Sequence, residues 1–282
     1  MRKLTLFPLI LLLVFVACQK EIDFEYNEVE SQVVIEGRVT NEDVYVLITR
    51  SRQMEDSVKA RGIDGATVTI SADGGPTEQL VFDTRDGRYR PASGMKGRAG
   101  ETYRLTVDFE GRHYEAKSTM PLPAVIDSVK FVWQDVLTRR LLVYLVAATD
   151  PEPGVRNYYW YRMDRRAVDS KVRRKQGTDP YRWNVFDDRG TIGGRIYRDI
   201  HCMMDKDDDE DTEEDKLKKR LFEGDTITLQ LMTIDRPAFE YYQSLSTGQR
   251  MGANPLGNLS GGCLGYFLAG SVTRADTVRY MK

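Results

Sequence analysis

Histidine is scarce in this chain, which has two in 282 residues, His113 and His201. Histidine is the side chain whose ordinary pKa lies near neutral pH, so acid–base catalysis would have to rely on carboxylates. The sequence also has no Gly-x-Ser-x-Gly elbow and no His-Glu-x-x-His motif, which mark hydrolase nucleophiles and zinc proteases. We therefore predict a protein that is not an enzyme, with no catalytic residues and no cofactor.

Cysteine is equally scarce, with three residues at Cys18, Cys202 and Cys263. Cys202 and Cys263 lie far apart along the chain, and the pattern leaves open whether they form a disulfide. His201 precedes Cys202, but no second histidine follows at the spacing of metal ligands. The sequence therefore predicts no metal site.

A surplus of basic residues is absent. The chain has 41 Lys and Arg residues against 43 Asp and Glu residues, a formal net charge of −2. Nucleic-acid binding draws its affinity from cationic contacts with phosphates, so this balance argues against a nucleic-acid partner.

The one long apolar run, from Leu4 to Val16, is too short to span a bilayer, which needs roughly 20 apolar residues. Charged residues precede the run and Ala17-Cys18 follows it, as in a cleaved signal peptide over residues 1–17. Val14-Phe15-Val16-Ala17-Cys18 resembles a bacterial lipobox. The resemblance implies that Cys18 becomes the lipidated first residue, and several acyl chains hold a protein firmly at a membrane.

Residues 18–31 are polar and acidic, and we interpret them as a tether. Directly after Cys18, the residues Gln19, Lys20, Glu21 and Asp23 resemble the export signal that sends lipoproteins of Bacteroidota to the outer face of the outer membrane. We expect a lipid-anchored outer-membrane protein that faces the cell surface. The alternative is a spacer that only keeps the folded body away from lipid.

Short runs of alternating apolar and polar residues, separated by turn residues, dominate the rest of the chain. Residues 32–120 contain about seven such runs, which predict an immunoglobulin-like β-sandwich. Two prolines in Met120-Pro121-Leu122-Pro123 end this unit. Residues 124–282 predict a second β-rich domain with at most one or two helices, one of them from Pro237 to about Leu245.

An acidic loop at residues 205–215 has nine carboxylates in eleven positions. Clustered carboxylates suit calcium, but an EF-hand loop needs glycine sixth and glutamate twelfth, where this chain has Glu210 and Lys216. A run of like charges repels itself, so we interpret the segment as a solvated loop and leave weak calcium binding open.

Consecutive aromatic residues at 158–161 predict a strand whose two faces both carry rings. One face is expected in the core. We predict that the other, with Tyr159 and Tyr161, is a partner-binding surface, although it could instead be packed under a loop or against the first domain.

Several segments resemble a family of Bacteroidota outer-membrane lipoproteins, domain of unknown function 4249, often encoded beside SusC-like TonB-dependent transporters. They are Cys18 to Asp23, Val34-Ile35-Glu36-Gly37, Ile63 to Ile70, Met120 to Ser128, Asp150 to Tyr159, and Asn254 to Phe267, which includes Gly265-Tyr266-Phe267. None is a catalytic signature. The resemblance implies a non-catalytic accessory subunit of a TonB-dependent nutrient transporter. The alternatives are a structural or adhesive surface module and a hydrolase acting on a surface polymer.

The lipid anchor gives the first prediction. Cys18→Ser should release the protein from membranes or leave its precursor uncut, because serine offers no thiol for lipid attachment. Membrane fractionation and the mass of the protein measure both results. A variant that is still processed and still fractionates with membranes would contradict the anchor.

Overall fold

A computed structural model describes most of the chain. The described residues are 30–52, 60–169, 181–189, 191, 193–205, 212, 213, 216, 220–251 and 254–282. Cys18 and the predicted export signal lie outside these ranges. The chain divides into two compact units, Met1–Ser31 and Gln32–Lys282. The second unit is described below. In the described part of the chain, no helix is long and apolar enough to cross a membrane.

Strands form in the first half of the chain where the sequence alternates, because successive side chains of a strand point to opposite faces. In β1 every second side chain from Val33 is buried, and those between are partly exposed. The strands are β1 (Val33–Thr40), β2 (Val44–Arg50), β3 (Thr67–Ala72), β4 (Thr77–Asp83), β5 (Arg88–Pro91), β6 (Thr102–Phe109) and β7 (Arg112–Thr119).

The second half is also mainly strand, and its one helix of 16 residues in the described part begins at Arg236, one residue before the predicted start, and ends six residues beyond Leu245. The elements are β8 (Val125–Val136), β9 (Arg139–Thr149), β10 (Tyr158–Arg166), β11 (Arg182–Asp187), β12 (Arg195–Met204), β13 (Thr226–Ile234), α1 (Arg236–Met251), β14 (Leu264–Arg274) and β15 (Val278–Arg279). The predicted mostly β fold is therefore confirmed, while the immunoglobulin-like topology of the first half stays a prediction.

One large sheet runs through both halves in the order β11-β10-β13-β14-β1-β2-β5-β4-β3-β6-β7, with β15 paired to β13. The sheet curls, so that β7 returns to the segment that leads into β14. There the Ser260 amide donates to the Glu115 carbonyl at 2.8 Å, and the Ala269 amide donates to the Ser118 hydroxyl at 2.7 Å. The inner faces of these strands enclose a first core, which includes Phe267.

A second core lies between β10, β11 and β13 of the large sheet and a three-stranded sheet of order β12-β9-β8. Helix α1 covers the opposite face of β10, β13 and β14 and forms a third, aromatic core. Strands β10 and β13 are therefore buried on both faces, which explains the nearly continuous apolar run of β13.

Strand β14 joins the two halves. Its first part pairs in parallel with β1, from Val34↔Leu264 to Thr40↔Gly270, and its last part pairs antiparallel with β13. The first core combines residues from Val33 to Met120 with Phe267 and Ala269 of β14, whereas the second core begins at Ala124. The large sheet runs through both predicted domains, and residues Gln32–Lys282 are one compact unit. The division into two β-domains near Pro121 and Pro123 stays a prediction.

Gly265 permits the close approach of β14 to β1. Its φ is +107°, and a Cβ atom there would lie 2.0 Å from the carbonyl oxygen of Ile35. Gly262 also has a positive φ, +77°, but a Cβ atom there would meet nothing within 4 Å. An alanine at Gly262 would therefore suffer backbone strain alone, whereas an alanine at Gly265 would suffer both backbone strain and steric overlap.

We predict that Gly265→Ala lowers the free energy of unfolding by at least about 3 kcal/mol, because strain and overlap with β1 add. The matched control Gly262→Ala should cost about 1 kcal/mol, the strain of the left-handed conformation alone. Chemical denaturation of both variants measures the difference. Equal losses would show that the β1–β14 junction tolerates a side chain.

Candidate functional site

The parallel register of β1 and β14 places two of the segments that carry the family resemblance side by side. Ile35 pairs with Gly265, Glu36 with Tyr266, and Gly37 with Phe267. Ile35 and Phe267 point into the first core, so Glu36 and Tyr266 lie together on the outer face of the sheet. The strand pairing thus brings the Glu36 carboxylate next to Tyr266, which is buried in the third core under α1.

Three arginines surround the ring of Tyr45 on the same outer face. Their guanidinium carbons lie 4.2 Å (Arg88), 5.2 Å (Arg38) and 5.8 Å (Arg90) from the ring centroid, within the range of cation–π attraction. Two of the three are also held by carboxylates. Arg38 binds Asp43 at 2.7 Å, and Arg90 binds Asp86 at 2.6 Å.

Arg88 differs from its neighbours, since no carboxylate among the described residues forms an ion pair with it. Its charge acts on Glu36, whose pKa burial raises and Arg88 lowers, with burial the larger effect. Glu36 is partly buried, and within the described residues no group donates a hydrogen bond to its carboxylate. The Glu36 oxygens are not among the fully buried polar atoms that lack a partner in the described residues, so they reach solvent.

Helix α1 forms the wall beside Glu36. The hydroxyls of Tyr242 and Tyr266 are hydrogen-bonded to each other at 2.9 Å, and the rings of Tyr241 and Tyr266 are 4.5 Å apart. Burial, and to a smaller extent the negative charge of Glu36, together raise the pKa of Tyr241 to about 12. These groups form what we call the Glu36 patch: Glu36, Arg38, Tyr45, Arg88, Arg90, Tyr241, Tyr242 and Tyr266, with the carboxylates of Asp43 and Asp86.

Asp235 fixes where α1 lies. Its carboxylate accepts a hydrogen bond from the Ala238 amide at 3.1 Å, the arrangement of a helix N-cap. The Ser118 hydroxyl of β7 donates to the other carboxylate oxygen at 2.5 Å and accepts from the Ala269 amide of β14. Burial raises the pKa of Asp235 to about 6, although these hydrogen bonds oppose the rise. One carboxylate thus links the helix to both β7 and β14.

The prediction that Tyr159 and Tyr161 lie on an exposed partner-binding face is wrong. Tyr159 is 0% and Tyr161 8% exposed, and both belong to the second core. The reason is that β10 lies between β11 and β13 and is covered by the three-stranded sheet, while α1 covers the opposite face. Among the three tryptophans, Trp183 keeps the most exposure, 40%, with its ring 6.1 Å from Tyr242.

The other predicted features are placed as follows. Cys202 and Cys263 are both free thiols. Of the acidic loop at 205–215, the structure describes residues 205, 212 and 213; the rest lies outside the described residues, so calcium binding there stays open. In the described ranges, no group of three or more His, Cys, Asp or Glu side chains is placed to hold a metal ion.

A cavity of about 600 Å³ lies where the acidic loop leaves β12. Its apolar wall includes Trp133 and Tyr280, and Arg140 stands at its edge, 5.4 Å from the Trp133 ring. Beside it, the fully buried side chains of Arg165 and Asp225 form an ion pair at 2.9 Å. Asp225 also accepts hydrogen bonds from two loop amides, so this end of the second core is firmly organised.

The Glu36 patch was not predicted from the sequence. Glu36 appears there only within a strand and a family-like segment, and Tyr45 and Arg88 are ordinary outer-face residues of strands. The one local signal is that Glu36, Arg38 and Tyr45, rather than small polar residues, occupy outer positions of β1 and β2.

The chain belongs to a family described as a domain of unknown function (DUF4249), whose model matches residues 19–276. The predicted family is confirmed. No curated protein matches the chain. The family match covers the first core, the third core and the Glu36 patch, and all of the second core except Val278 and Tyr280.

The raised pKa of Asp235 predicts a pH dependence. Because the folded-state pKa is about 6 against an ordinary 3.8, this group favours the fold below about pH 4, and that contribution is lost as pH rises through 6. Asp235→Asn keeps an N-cap oxygen but does not titrate. Relative to the wild type, the variant should gain about 2 kcal/mol of unfolding free energy between about pH 4 and 7. Denaturation at several pH values measures it, and a constant difference would contradict the assignment.

Proposed function

We propose that this member of the DUF4249 family is a lipid-anchored outer-membrane protein that faces the cell surface and works by binding. Its role is that of a non-catalytic accessory subunit of a TonB-dependent nutrient transporter. The lipobox-like segment that ends at Cys18 supports the anchor, and Gln19, Lys20, Glu21 and Asp23 support the surface address. The family resemblance supports the transporter.

The observation that carries the binding role is the incomplete pairing in the Glu36 patch. Arg38 and Arg90 have carboxylate partners, whereas the Glu36 carboxylate has no donor and Arg88 no ion pair among the described residues. Neither group is among the fully buried polar atoms that lack a partner in the described residues, so both reach solvent. Groups that are held on strands, open to solvent and without partners in the fold are suited to an external ligand.

The accessory role is tested by affinity purification from outer membranes solubilised in mild detergent, followed by mass spectrometry. The tagged wild type should retain a large β-barrel transporter in near-equal amount. The matched control replaces Lys20, Glu21 and Asp23 with alanine, which keeps Cys18 and its lipid but removes the predicted surface address.

This control should be protected from protease added to intact cells and should lose the transporter. Purification of the wild type without any transporter would favour a structural or adhesive module instead. Equal digestion of control and wild type would refute the surface address.

A further inference from the structure

We propose that the Glu36 patch binds a neutral polyhydroxylated ligand, a sugar or polyol, through Glu36, Arg88 and the Tyr242–Tyr266 hydroxyl pair. The inference rests on the proposed function only in that the protein works by binding. It assigns a site and a ligand class that do not depend on the transporter.

The charges of the patch select against ionic ligands. Three guanidinium groups, those of Arg38, Arg88 and Arg90, face three carboxylates, so the formal charge of the patch is zero. An anion placed at Arg88 would also approach the carboxylate of Glu36, and a cation placed at Glu36 would approach Arg88. Like charges brought together in a partly buried site are unfavourable. A neutral ligand meets neither repulsion.

The patch contains both hydrogen-bond acceptors and hydrogen-bond donors. The Glu36 carboxylate accepts and lacks a donor within the described residues. The Arg88 guanidinium can only donate. The Tyr242 hydroxyl donates to the Tyr266 hydroxyl, and Tyr266 is buried, so the partly exposed Tyr242 offers its oxygen as an acceptor to a ligand. A hydroxyl group both donates and accepts, so neighbouring hydroxyls on one ligand satisfy this set.

The groups are positioned before any ligand binds. Arg88 rests on the Tyr45 ring at 4.2 Å, Tyr266 lies in the middle of the large sheet, and the Asp235 cap holds the helix that carries Tyr242. Such preorganisation reduces the entropy lost on binding. The rings of Tyr45 and Tyr242 are partly exposed. They add apolar surface of the kind that packs on ligand C–H groups.

The test uses the full mature lipoprotein, extracted from membranes in a zwitterionic detergent. Alkyl glycoside detergents are avoided, because their head groups are neutral sugars. Isothermal titration calorimetry measures maltotriose, cellotriose, xylotriose and myo-inositol as neutral probes. Glucuronate and glucosamine are the anionic and cationic comparators.

At least one neutral probe should bind, with affinity that changes little between low and high salt, and more tightly than either charged comparator. Glu36→Gln and Arg88→Gln should each weaken that binding by about tenfold or more, since each removes hydrogen bonds to a charged group. The matched control is Glu110→Gln, a carboxylate at an exposed turn paired to Arg50, which should bind as the wild type does. Melting temperatures of all variants are compared, so that loss of binding is separated from loss of fold.

Binding of glucuronate or glucosamine in preference to the neutral probes would overturn the inference, as would the absence of binding by every neutral probe. Neutral-probe binding that survives both Glu36→Gln and Arg88→Gln would also overturn it, by placing the ligand elsewhere. A captured transporter without sugar binding refutes this inference alone, and sugar binding without a captured transporter refutes the accessory role alone.

Discussion

The parallel pairing of β1 with β14 is the constraint on which the rest of the molecule depends. The two strands are adjacent in space but lie near opposite ends of the sequence of the compact unit, so their pairing is a long-range contact with a high entropy cost. Gly265 lets the backbones approach, where any side chain would overlap the Ile35 carbonyl. Strand β14 lies between β1 and β13 in the large sheet. It therefore contributes to the first core and also connects the strands of the first half with β13, which contributes to the second core.

Asp235 links the paired strands to helix α1 on the outer face of the sheet. Its carboxylate caps α1, accepts from Ser118 of β7, and thereby holds the helix against β14. Tyr242 of the helix then meets Tyr266 of β14, next to Glu36 of β1. The link is partly buried, and this burial raises the pKa of Asp235. The geometry of the Glu36 patch therefore depends on the contact between Ser118 of β7 and Asp235, although Ser118 is far from both Glu36 and Tyr242 in sequence.

Sequence patterns predicted most strands to within a few residues, because alternation reports directly which side chains face a core. They missed β11 and β12: in β12 the charged residue Arg198 occupies an inward position and interrupts the apolar alternation of Ile196, Ile200 and Cys202. They also misassigned Tyr159 and Tyr161. A strand with rings on both faces is equally consistent with one exposed face or with two covered ones, and only the positions of the three-stranded sheet and α1 decide between them.

The sequence by itself determined the local features: the apolar leader before Cys18, the alternation that makes strands, the turns between them, and the family. These depend on neighbours along the chain, through periodicity and short motifs. Only the tertiary structure decided that two predicted domains share one sheet, and that Glu36, Tyr45, Arg88 and Tyr242 meet. Those residues come from four elements separated by up to 200 positions or so. Their juxtaposition follows from strand order and register, which are chosen by burial of whole faces rather than by any local residue pattern.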